Sequence, residues 1–198
     1  MRLARTIERD IGALGSLRLN GYLSCQLQRV AFPSGFPLYV LGRKLWNQSL
    51  SYEALKKEYF CAAYGQFAEE IEIVLERISS WLTDDYMHHR LPERDGEVRM
   101  RAERERGECK KLSGRIDEMI SAGSGWLRER LKLISFCLQY TQKLLTLIEA
   151  KAGGEQTQVD ALLEEIDQFL FAKEPEVQPY MDVGQYYVNV KILAGDHW

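Results

Sequence analysis

Apolar residues recur at helical spacing along most of this chain. Leu3, Ile7, Ile11 and Leu14 form a first stripe, and Gly15 is placed to end it as a left-handed cap. Asn20-Gly21 then signals a turn, and Tyr22 to Leu27 is the best strand candidate. A lone strand leaves its backbone donors and acceptors unpaired, so it needs an edge from another copy, another chain or further strands. Residues 31–37 read as a loop, with Pro37 suited to the first turn of the next helix. Leu38, Leu41, Leu45 and Trp46 give that helix its predicted buried face. Ser51 is the N-cap expected for a helix through Tyr64, with Glu53 near the positive end of its dipole and Gly65 as its stop.

The remainder reads as a helical bundle. Phe67, Ile71, Val74, Ile78 and Leu82 share one face, and Val98, Ala102, Cys109, Leu112, Ile116 and Met119 form a sparser stripe with a charged gap at Glu105. Leu127, Leu131, Ile134, Leu138, Thr141, Leu145 and Ile148 follow alternating helical steps, the strongest pattern in the chain. Leu133, Cys137, Tyr140, Leu144 and Leu147 widen it beyond a single seam, as expected of a central bundle helix. Gly153-Gly154 breaks the chain before a helix built on Val159, Leu162, Leu163, Ile166, Phe169 and Leu170, with Pro175 and Pro179 in the loop after it. Asp182-Val183-Gly184-Gln185 resembles a capping box, opening a last helix with Val183, Tyr186, Tyr187, Val190 and Leu193 on its apolar side. Residues 187–193 also carry β propensity. The predicted fold is mainly α: a helical bundle over residues 51–198, preceded by a small α/β segment over residues 1–50.

Composition narrows the function classes. With 45% hydrophobic and 28% charged residues among 198, the chain has enough apolar material for a core. The net charge is only −3, and Arg99, Arg101, Arg104 and Arg106 alternate with Glu103, Glu105 and Glu108. No basic stripe exists for a phosphate backbone, so no nucleic-acid partner is expected. No run approaches the roughly 18–20 apolar residues of a membrane span, and Met1 to Leu14 lacks a signal-peptide core. Cys25, Cys61, Cys109 and Cys137 stand far apart without a CxxC pair, which argues against a disulfide framework or zinc site. Cys61 and Cys137 fall in apolar helical patterns, where a thiol acts as a small hydrophobe. A cytoplasmic, membrane-free protein is the expectation.

Candidate chemistry is sparse. Asp84, Asp85, His88 and His89 crowd a predicted helix end, but adjacent histidines seldom point one way, so no metal is predicted there. Glu69, Glu70, Glu72 and Glu76 read as a solvated helix face, as do Glu164, Glu165 and Asp167. No Glu-x-x-His pair, Gly-rich phosphate loop or nucleophile elbow occurs, and no cofactor or catalytic residue is assigned. The segment from Gly21 to Trp46 differs. Gln26, Gln28 and Arg29 stand at the strand's carboxyl end, where α/β folds carry ligands, and their groups suit sugar hydroxyls or carboxylates. Tyr22, Phe32 and Phe36 offer apolar faces for a pyranose ring. An ordinary crossover, its polar residues satisfying loop backbone, is the equal alternative.

Several segments carry a resemblance. Residues 20–26, 29–33, Pro37-Leu38-Tyr39-Val40-Leu41-Gly42-Arg43-Lys44-Leu45-Trp46, and Glu58-Tyr59-Phe60 through Tyr64-Gly65 resemble the end of a (β/α)8 barrel in bacterial glycoside-hydrolase-like proteins, largely uncharacterised, in which a helical region follows the barrel. The resemblance covers about Leu3 to Gly65. It implies that Leu3 to Leu14 is the seventh barrel helix, Tyr22 to Leu27 the eighth strand and Pro37 to Trp46 the eighth helix. Seven strands lie outside this pattern, and no Asp or Glu occurs between Ile11 and Tyr52. The implied function is that of a C-terminal helical portion of a carbohydrate-active protein, not catalytic alone, with Gln26, Gln28 and Arg29 as substrate contacts. The alternative is a stand-alone helical module that docks a partner or self-associates through its unpaired strand.

Overall fold

In a computed structural model of the protein the described residues are 1–23, 29, 33–81, 85–86 and 95–194, without the side chains of residues 192–194. The fold is mainly helical and divides into two compact units, Met1–Ser79 and Ser80–Trp198. No β-strand occurs among the described residues. Residues 24–27 of the predicted strand lie outside them, while Tyr22 and Leu23 are irregular and exposed.

The first unit comprises α1 (Arg2–Ala13), α2 (Phe36–Trp46), α3 (Tyr52–Tyr64), a 3-10 turn at Gly65–Phe67 and α4 (Ala68–Ser80). The exit from α1 differs from expectation. Leu14 keeps helical angles, and the left-handed residue is Arg18, at φ 57°, rather than Gly15. The Leu19 N–H reaches the Leu14 carbonyl (2.9 Å) and the Arg18 N–H reaches Gly15 (3.1 Å), a Schellman pair one turn beyond the predicted stop.

Burial on α2 is also rotated from the predicted face. Phe36, Val40, Leu41 and Lys44 are buried, while Leu45 is 44% and Trp46 91% exposed. Phe36 sets this rotation. Its ring sits 5.7 Å from Tyr52, 5.3 Å from Tyr59 and 5.4 Å from Phe60, and positions four, five and eight residues on follow it inward. Lys44 is buried with its ammonium on the Gln48 carbonyl (2.7 Å), the Leu50 carbonyl (3.0 Å) and Glu8 (3.1 Å). All three ammonium donors are thereby used just beyond the negative end of α2.

The start and stop of α3 match the sequence. Ser51 Oγ accepts the Ala54 N–H at 3.2 Å, and Gly65 takes φ 53°. Cys61 on this helix is exposed, not the small buried hydrophobe expected, because the helix turns Leu55, Phe60, Ala63 and Tyr64 inward instead.

The second unit comprises α5 (Asp95–Ala122), α6 (Gly125–Ala152), α7 (Gln156–Val177) and α8 (Val183–Ala194). An α5–α6 hairpin forms its centre, with α7 and α8 packed on α6. Leu131, Ile134, Leu138, Leu145 and Ile148 on α6 are fully buried, as the strongest pattern predicts. Glu105 fills the charged gap in the α5 stripe. It is buried there, with its carboxylate taking the Arg101 Nε–H at 2.8 Å.

Two turns join these helices. Arg128 donates to the carbonyls of Ile120 (3.2 Å) and Gly123 (3.0 Å), closing the end of α5. At the end of α6, Glu155 N–H bonds the Ala150 carbonyl and Gly154 N–H the Lys151 carbonyl, with Gly154 at φ 69°. Phe136 and Phe169 stack at 5.3 Å to hold α7 on α6. Contrary to expectation, α7 runs through Pro175. In the last turn the proline forfeits one backbone bond, and buried Val177 anchors the residues beyond it. The last helix forms as its capping box predicts, the Gln185 N–H pointing to Asp182 Oδ1 at 3.3 Å.

Candidate functional site

In the first unit, α1, α2 and α4 enclose one side of a cavity of about 500 Å³. Leu3 and Ile7 from α1, Leu38 and Leu41 from α2, and Leu75 and Ile78 from α4 supply its aliphatic wall. Three polar groups at its margin are engaged with one another or with nearby backbone. The Met1 ammonium donates to Ser79 Oγ at 2.8 Å, and Ser34 Oγ accepts the Phe36 N–H at 3.1 Å and donates to Tyr59 OH at 3.4 Å. Burial lowers the pKa of the Met1 ammonium from 8.0, with Glu76 opposing the shift. With Ser34 and Ser79 engaged by neighbours and an aliphatic wall, the cavity presents mainly apolar surface.

A charged cluster links α1, α3 and α4 in the same unit. Arg5 lies 4.3 Å over the Tyr52 ring, 3.7 Å from Glu53 and 3.9 Å from Glu76, and Lys56 bridges Glu53 (2.8 Å) and Glu72 (2.7 Å). Glu53, Glu72 and Glu76 thus act in ion pairs with Arg5 and Lys56. Tyr52 is buried, and its hydroxyl has no hydrogen-bond partner among the described residues. Desolvation raises its pKa above the ordinary 10.0, with the two cations opposing.

The second unit holds a smaller polar recess of about 270 Å³ where α5 meets the α6–α7 turn. Arg99 pairs with Glu155 at 3.1 Å and Arg106 with Glu149 at 3.0 Å. The Arg99 guanidinium lies so close over Gly153 that a Cβ there would meet it at 2.9 Å. Each guanidinium is matched by a carboxylate, so the recess clamps the turn to α5 and carries no excess charge.

The predicted site residues are only partly in view. Gln26 and Gln28 lie outside the described residues, as does Phe32, and Arg29 is half-buried with an interacting partner. Of the predicted ring-binding aromatics, Tyr22 and Phe36 both line the cavity, though Phe36 is spent on core packing. Of Asp84, Asp85, His88 and His89 only Asp85 is described, and no metal-competent cluster occurs among the described residues. Among them, too, no helix is long and apolar enough to cross a membrane. The cavity wall escaped sequence reasoning because its residues look like ordinary core positions, and only the fold brings those of α1, α2 and α4 around one cavity. No protein-family model, curated protein or solved structure matches the chain.

Proposed function

We propose that this chain is the C-terminal helical portion of a bacterial glycoside-hydrolase-like, carbohydrate-active protein, with α1 and α2 as outer helices of a barrel end. The reading starts from the resemblance over Leu3 to Gly65. One observation in the fold supports it: apolar positions of α1 and α2 lack cover. Leu3 is 60%, Leu45 44% and Trp46 91% exposed, and Leu3, Ile7, Leu38 and Leu41 share an apolar cavity. Outer barrel helices each turn an apolar stripe toward the sheet they protect. Direct packing of α1 on α2 suits consecutive barrel helices.

Gln26, Gln28 and Arg29 fall between these helices in the chain, at the position of a strand's carboxyl end, and are the proposed carbohydrate contacts. Glycoside hydrolysis ordinarily uses two placed carboxylates, and residues 12–51 contain none. Residues 1–198 are therefore expected not to turn over glycosides alone. The decisive experiment reads the natural gene upstream of Met1. Seven in-frame β/α units support the proposal, and an in-frame stop there overturns it, as does glycoside turnover by the purified chain.

The same exposed residues favour a second reading, a stand-alone helical module that self-associates. Sedimentation over a wide concentration range separates the two. A dimer lost in Trp46→Arg or Leu3→Lys supports self-association, and a monomer throughout removes it.

A further inference from the structure

We draw no further inference here: the strongest candidate, the apolar cavity between α1, α2 and α4, belongs to the site already described, and nothing in the structure shows what else covers it.

Discussion

The Tyr52 hydroxyl illustrates how single residues in this protein depart from what their type implies. It is buried among Phe36, Arg5 and Lys56, yet it forms no hydrogen bond among the described residues. A buried hydroxyl without a partner carries a desolvation cost of about 1–3 kcal/mol, which Tyr52→Phe removes while keeping the ring contacts. The variant is expected to be as stable as the parent or more stable by about 1 kcal/mol in urea unfolding. A loss larger than that means the hydroxyl is paired in solution. Lys44 departs in the opposite sense. A lysine in a helical run reads as surface, but this one is buried on two carbonyls and Glu8. Nothing in the residue type announces this, because the partners Gln48 and Leu50 come from the following loop and Glu8 from another helix. Glu105 behaves likewise: the sequence marks a gap in an apolar stripe, and the fold fills it with a paired carboxylate.

At the scale of elements, ends were legible where the signal is local. The Ser51 cap, the Gly65 stop and the Asp182 box depend on side chains within three residues of the backbone they serve. Ser51→Ala is expected to cost about 1 kcal/mol in chemical denaturation, with Ser51→Asp close to the parent. Equal loss in both variants would show that the cap contributes nothing. Gly154 sits left-handed in a Schellman turn, and Gly154→Ala is expected to destabilise the second unit by about 1 kcal/mol. Thermal melts followed by circular dichroism read this shift, and an unchanged midpoint refutes it. Signals that depend on tertiary context were not legible. Gly15 carries the residue type for a left-handed stop, but Leu14 continues the helical path and Arg18 takes that conformation. The rotation of α2 follows from where Phe36 finds Tyr59 and Phe60, a contact between two helices that periodicity cannot register. Proposed contacts Gln26 and Gln28 rest on the sequence alone.

For the molecule as a whole, the two units show different relations between pattern and burial, and that difference has a thermodynamic reading. In the second unit the predicted stripe of α6 is buried almost without exception, and it encloses titratable groups. Burial pushes the Cys109 and Cys137 thiols from 9.0 up to about 12. Burial also raises Tyr140 and Tyr186 above the ordinary 10.0. All four groups stay protonated in the folded chain where the unfolded chain has begun to ionise. The folded state then binds more protons than the unfolded one, so stability falls as pH rises. The thiol contribution is absent below pH 9, grows between 9 and about 12, and has a limiting slope of about 1.4 kcal/mol per pH unit per thiol. Urea unfolding of the second unit at stepped alkaline pH reads that slope directly. Cys109→Ala lowers stability at every pH through the cavity it leaves, but its loss with rising pH is expected to be shallower than the parent's. The comparison holds because lysine and tyrosine titration is common to both proteins. Cys109 Sγ donates to the Leu138 carbonyl at 3.3 Å across the α5–α6 contact, and an identical slope in parent and variant would place that thiol in water instead.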